Sequence, residues 1–459
     1  MSNLQEKVKS GGSIGLVQCV TIIVGGMIGS AIFSLSGMTI YSAGPAALVS
    51  WIIAAIILLM YGLQIAELST IFPKSGGVFV FPSKALGSTE KKGKIWGWIS
   101  FWGYINANIA GIGFAAIYVS TYLGVGFPIF SGLQIPMAIA AVLFCFLLNT
   151  LKFTVTGNAS TVMVIGLVTT MVIFIGVGLF GGSWDSTQFT PFLTQGAMGS
   201  TGFMTAIPTA MVAYGSIVAI AFMVSEVKNP NKNVPKSIFI AMSIVVVLYL
   251  LILVTTLGLV TAGFLDANPG MRYIPLYAAA FTKLGAFPWI AKLISVAAVL
   301  ALLTTILVLI ALTSRAIAAV ADAKMIPKSL GKLNSKTGTP LNATIVVAIA
   351  SIIISCFPQL TSQIVNLGAL FAAITISINC ISLFVARKKN VYVPGNFRAP
   401  GGKFLPIITI AVIVMAYIPG IINGSAFWYY GLIWYGLGAL LLIISLKKSA
   451  KSGDDLTVS

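Results

Sequence analysis

Long apolar runs separated by short polar stretches repeat from one end of the chain to the other. Twelve of them approach or exceed the roughly 20 residues that a helix needs to cross ~30 Å of hydrocarbon. They predict spans near residues 13–42, 45–72, 95–124, 133–150, 156–182, 203–225, 236–263, 285–313, 341–357, 361–386, 404–423 and 426–446. The fourth and ninth are short, which leaves open an eleven-span alternative with the termini on opposite sides. Two runs are interrupted from within. Gly25, Gly26, Gly29 and Ser30 interrupt the first, although each interior glycine costs about 1 kcal/mol against alanine. In the sixth, Pro208 precedes Ala213, Tyr214, Gly215 and Ser216. Either cluster alone fits close helix packing, and Gly25 and Gly29 do have GxxxG spacing. Breaks in corresponding helices five spans apart instead predict two five-helix repeats of inverted topology, with bare backbone at mid-membrane available to a ligand.

The basic residues test this count. With the N-terminus inside, 24 of the 27 Lys and Arg fall on the cytoplasmic side, and only Arg272, Lys283 and Lys292 fall outside, the asymmetry that cytoplasmic loops carry. The prediction is therefore an all-α polytopic protein of the cell membrane with twelve helices and both termini cytoplasmic. Its parts are a tail at 1–12, a first repeat at 13–182, a second at 203–386, two further helices at 404–446 and a tail at 447–459. The polar start is expected to be retained, because the run after it is far longer than a signal-peptide core. Residues 72–77 and 229–235 combine proline with glycine or asparagine and read as stop-and-turn signals. The long external segment 261–288 reads either as a lid over an outer vestibule or as a solvated loop.

Composition narrows the class. The chain has 459 residues, 58% of them hydrophobic and 8% charged, and its mean hydropathy is +1.02, far from soluble-domain averages. A formal charge of +18 does not imply nucleic acid, since the basic residues sit in short clusters between apolar runs with no DNA-reading motif. The partners implied are the lipid bilayer and a small molecule. Cys19, Cys145, Cys356 and Cys380 lack paired spacing and read as free thiols, with no disulfide or zinc site. Histidine is absent, which removes the commonest proton shuttle and the commonest metal ligand. No cofactor is expected. An enzyme would need a nucleophile or acid–base set within the membrane, and a sensor would need a soluble output domain; neither is visible.

Of the nine acidic residues, only Glu67 lies inside an apolar run. An intramembrane carboxylate is by default a functional candidate, and Glu67 reads as a gating residue or as the partner of nearby loop lysines. Glu67 lies about one turn from the cytoplasmic end of its span, so the midplane carries no fixed charge. A zwitterion held by backbone groups fits such a site better than a dication or dianion.

Several motifs resemble those of the amino acid–polyamine–organocation transporters. They are Gly26–Phe33 in the first span, Ala66–Ser69 with Pro73–Gly77 at the exit of the second, and Ser225–Pro230 through Pro235 at the exit of the sixth. Ser314-Arg315, Ala321-Asp322, Met325–Pro327 and Thr339-Pro340 after the eighth complete the set. The matches run from the first span to the end of the tenth in that family's order. The resemblance implies a LeuT-like five-plus-five inverted repeat with broken helices 1 and 6, and alternating access as the mechanism. It implies that the substrate carboxylate is met by Gly29, Ser30 and Ala31, where the second half-helix begins and its electropositive N-terminus suits an anion. The ammonium would be met by carbonyls of Met27, Val212, Ala213 and Gly215. Asn108 resembles a pocket asparagine of the antiporter branch, with a helix-packing hydrogen bond as its alternative.

The departures are equally specific. Ala31 stands where the family has a third glycine, Ser216 falls on the helix-6 glycine, and Val218 and Val212 fall on an acidic and an aromatic position of other members. Arginine or agmatine exchange is disfavoured. The lysine that some members place in the fifth span is missing from 156–182. Thr304 and Thr305 lie where sodium-coupled relatives bind sodium, and two hydroxyls with helix-1 carbonyls make a weak sodium site; threonines bonding their own backbone are the alternative. The expectation is exchange of neutral amino acids, with sodium- or proton-coupled symport and amino acid–amine antiport as alternatives. A homodimer is left open.

Overall fold

The computed structural model describes residues 12, 14–29, 31–74, 76–151, 153–335, 337–422 and 427–451. In chain order the helices are α1 (Leu16–Met27), α2 (Ser36–Ala43), α3 (Ala47–Ile71), α4 (Gly77–Leu86), α5 (Glu90–Gly126), α6 (Gln134–Thr150), α7 (Phe153–Phe180), α8 (Gly202–Ala213) and α9 (Ala219–Phe222). They continue as α10 (Pro230–Leu259), α11 (Ala262–Ala267), α12 (Pro275–Lys283), α13 (Trp289–Asp322), α14 (Leu341–Ser355), α15 (Thr361–Lys389), α16 (Phe404–Ile422) and α17 (Phe427–Lys451). The only extended pairing among the described residues is a parallel bridge between Ile14 and Val227. A chain this apolar must satisfy its amides internally, and helices do so segment by segment.

Seven helical stretches among the described residues are long and apolar enough to cross a membrane, or eight if the pair bent by 42° between α8 and the turn after it counts as one. That count takes Leu16–Ile71 as one stretch, although Gly44, at φ 59°, and Pro45 interrupt it between α2 and α3. Helices α6, α14 and the first part of α16 are apolar but shorter.

Each predicted run falls on a helix, but the ends differ. Helix α5 begins at Glu90, where the Thr89 hydroxyl accepts from the Lys92 amide and Glu90 pairs with Lys94 at 3.1 Å. Helix α13 continues to Asp322. Hydropathy marks the hydrocarbon slab, and a helix stabilised by its own caps and ion pairs continues beyond it. Helix α4 was not foreseen, because a ten-residue stretch containing Pro82 carries too little pattern.

Two groups of helices organise the interior. Helices α1, α3, α8 and α10 pack on one another, while α5, α6, α13 and α14 form a second group in which α5 against α13 is the dominant contact. Helix α15 lies along α5, and α7 touches α13, α10 and α1. On the flank, Trp102 and Trp434 stack with ring centroids 4.6 Å apart, and each indole N–H donates to the other's carbonyl.

Segment 261–288, left open between lid and loop, is folded. It forms α11, a 3₁₀ turn and α12, and it buries Leu265, Ile274 and Leu276. The Arg272 guanidinium lies 3.9 Å from the centre of the Tyr41 ring, and a methyl group on Gly37 would come within 2.0 Å of the Arg272 carbonyl oxygen. The segment thus caps α2. In the loop before α8, the Thr187 hydroxyl and amide and the Gln188 side chain all donate to Asp185, and these bonds hold its carboxyl below the usual carboxylate range.

Candidate substrate site

Helix α1 ends in an inverse γ-turn. Ile28 has φ −75° and ψ 79°, and the Gly29 amide donates back to the Met27 carbonyl at 2.8 Å, the geometry of that turn. The chain resumes as a π-helical turn, Ala31–Leu35, leading into α2. Ser30, the hydroxyl expected between them, lies outside the described residues. The second break faces the first. Helix α8 ends at Ala213, Gly215–Val218 forms a 3₁₀ turn, and α9 follows. Gly26 packs against Ser216, whose Cβ lies only 2.7 Å from where a Cβ on Gly26 would stand. Gly29 is tighter still, since a Cβ there would fall 1.6 Å from the Thr305 hydroxyl. Glycine is therefore required at 26 and 29 by the approach of neighbouring helices.

Between the breaks lies a cavity of about 160 Å³. Gly26, Met27 and Ala31 line it from the first break, and Val212, Gly215 and Ser216 from the second. Asn108 and Tyr104 enter from α5, Thr305 and Leu309 from α13, Tyr61 from α3, and Val365, Ala369 and Thr375 from α15. Every polar group on this wall is neutral, and the remainder is aliphatic or aromatic. A low-dielectric wall of this kind penalises a net charge and tolerates one whose positive and negative ends each meet hydrogen-bonding backbone.

Of the residues singled out in the sequence, Met27, Ala31, Asn108, Val212, Gly215 and Thr305 line this cavity, while Gly29, Ala213 and Thr304 stand behind its wall. The Asn108 amide donates to the Thr313 hydroxyl at 2.9 Å, joining α5 to α13. Both hydroxyls of the threonine pair donate to the Ala301 carbonyl, Thr304 at 2.8 Å and Thr305 at 3.1 Å, and only Thr305 also lies over Gly29. Among the described residues no three His, Cys, Asp or Glu side chains come together. Sequence reasoning missed four tyrosines. Tyr61, Tyr104 and Tyr417 line the cavity, and Tyr249 of α10 donates its hydroxyl to the Met27 carbonyl from outside it. The one available signal was spacing, since Tyr104, Asn108 and Gly111 fall on one face of α5.

Glu67 lies six residues beyond Tyr61 on α3, about 9 Å along the axis, and is fully buried. Its carboxylate receives two bonds from the Arg387 guanidinium, one of them at 2.8 Å, one from the Tyr392 hydroxyl and one from the Ala399 amide at 2.7 Å. Burial first, and the neighbouring carboxylate second, push the Tyr392 hydroxyl up to about 12. Nearby, Arg315 of α13 pairs with Glu226 through two nitrogens, at 2.8 and 3.3 Å. The Gly76 amide donates to the Phe222 carbonyl at 3.1 Å, and Ile14 and Val227 bridge. These contacts tie the segments around α9 to α13, α4 and the start of the chain at the end of the bundle where Arg315 lies.

Comparison with known proteins follows this geometry. A family model described as amino acid permease matches residues 14–442. Three relatives come from Bacillus subtilis (strain 168). The branched-chain amino acid permease BcaP is 26% identical over 457 residues, covering 95% of this chain and 94% of its own. The methylthioribose transporter is 26% identical, covering 93% and 91%. The serine/threonine exchanger SteT is 26% identical, covering 87% and 88%. A match over nearly the whole length, with the broken helices and the cavity inside it, means that the chain belongs to the amino acid permease family.

Proposed function

We propose that the protein is a secondary transporter that exchanges neutral amino acids across a cell membrane by alternating access. The observation that carries this reading is the wall of the cavity between the two breaks, which is neutral throughout and mostly apolar. The amides after the first break, at Ala31 and the neighbouring Ser30, take the carboxylate, while the Gly29 amide is already given to the Met27 carbonyl. Carbonyls of the second break that border the cavity, at Val212 and Gly215, take the ammonium, with Ala213 behind them. Met27 has less to offer, because its carbonyl already accepts from the Gly29 amide and the Tyr249 hydroxyl, which uses both lone pairs. Leu309, Val365 and Ala369 leave an aliphatic lining for the substrate side chain, which fits a branched or small neutral residue; two relatives are named for branched-chain amino acids and for serine and threonine.

On this reading twelve spans form two inverted repeats, 13–182 and 203–386, followed by two helices. Both termini are then cytoplasmic, a topology supported by the 24 basic residues it gathers on the inner side. The group α1, α3, α8 and α10 rocks against the group α5, α6, α13 and α14. Counterflow in proteoliposomes tests the proposal. Internal neutral amino acid is expected to accelerate uptake of labelled substrate with no ion gradient. Uptake that needs a sodium gradient and is lost in Thr305→Val would replace exchange with symport.

A further inference from the structure

We infer that Tyr249 of α10 is a positioning residue that fixes the first chain break in place for the substrate carboxylate, an inference that rests on reading the breaks as the binding site. Its side chain is fully buried and is not part of the cavity wall. It approaches the breaks from behind. The hydroxyl donates to the Met27 carbonyl, the last of α1, and stands 3.5 Å from the Ala213 carbonyl, the last of α8. A phenol has one proton to give. Met27 receives it, and at 3.5 Å Ala213 receives little. The Met27 carbonyl, which also closes the γ-turn, is thereby satisfied without substrate, and the turn that presents the Ala31 amide is held in place.

The ring itself is held. Trp51 of α3 meets it edge-on at 5.1 Å, and Tyr214, within the second break, lies 5.4 Å away. Trp51 in turn donates its indole N–H to the Thr39 hydroxyl of α2 at 3.0 Å. Both halves of the first broken helix are thus anchored to α3 and α10 through this cluster. A broken helix end leaves carbonyls that demand a positive partner. Here a neutral hydroxyl from the same helix group provides it, so the first break needs no cation to stay in place.

Tyr435 of α17 provides the control, because its buried hydroxyl has no hydrogen-bond partner among the described residues and it lies outside the cavity wall and both breaks. In proteoliposome exchange, Tyr249→Phe is expected to raise KM about tenfold, the loss of one buried hydrogen bond, with the maximum rate within about twofold of wild type. Tyr435→Phe is expected to change neither. The thermal unfolding midpoint of the purified protein should fall in Tyr249→Phe and stay put in Tyr435→Phe. This arm reads the bond whatever the cargo is, so a wild type that ignores neutral amino acids would defeat the functional reading without touching the clamp. Should Tyr249→Phe not fold, Tyr249→His, which returns an N–H donor, is expected to fold and transport. Equal shifts in the two phenylalanine variants, an unchanged KM in Tyr249→Phe, or a histidine variant no better than a failed phenylalanine one would overturn the inference.

Discussion

Gly29 has no room for a side chain, because the Thr305 hydroxyl occupies the space where its Cβ would stand. Gly29→Ala is therefore expected to abolish uptake while the protein still reaches the membrane. Thr305→Ala in the same chain should restore part of it, because the Thr305 Cβ lies at 3.0 Å, a distance that a small shift accommodates. Failure of the double variant to recover any transport would place the role of Gly29 in its backbone conformation instead of its contact. The glycine pattern made this position visible in the sequence, since bare backbone inside an apolar run has a cost that something must offset. The same reasoning pointed to Gly215, whereas Met27 and Ala31 came from the family resemblance. Tyr61, Tyr104 and Tyr249 stayed hidden. A tyrosine in a membrane helix looks alike whether its hydroxyl meets lipid headgroups, a cavity or a broken helix, and only the fold distinguishes these.

At the scale of elements, the buried Glu67 ties α3 to the end of α15 and to the segment 390–403 after it. Removing one partner from a buried ion pair strands the other, at a cost of about 3–5 kcal/mol. Glu67→Gln should lower the unfolding midpoint sharply, and Glu67→Leu with Arg387→Met should lower it less than Glu67→Gln alone. Equal loss in both would mean that the Tyr392 and Ala399 bonds, not the charge pair, carry the joint. The sequence revealed Glu67 but proposed loop lysines as its partners; Arg387, 320 residues away, is chosen by tertiary packing that no local pattern encodes. The loop before α8 gives a test of a different kind. Asp185 has a depressed carboxyl, so its contribution to loop order is present above the ordinary carboxylate range and is lost as pH falls through its lowered value. Protease protection of residues 185–190 should be constant near neutrality and fail only in strong acid. Loss already near pH 6 would contradict that assignment.

At the scale of the molecule, one ion pair at the end of the bundle bearing Arg315 and Arg387 crosses between the two helix groups. The pair Glu226–Arg315 joins the segment after α9 to α13. Breaking it with Arg315→Gln is expected to raise the labelling of a cysteine at Val218, a cavity residue, by an impermeant thiol reagent applied from that end. Unchanged labelling would mean that this pair does not control access to the cavity. The two helix groups were legible as runs and breaks, but not which run packs on which, because side chains of similar hydropathy make any pairing equally plausible until shapes are matched. One feature of the cavity has an electrical meaning. A charge crossing the bilayer gains or loses about 2.3 kcal/mol per 100 mV. In the proposed exchange, with neutral walls and one zwitterion traded for another, no net charge moves in either half of the cycle. Membrane voltage then does no work on it, and one amino acid is concentrated only at the expense of the opposing gradient of the other.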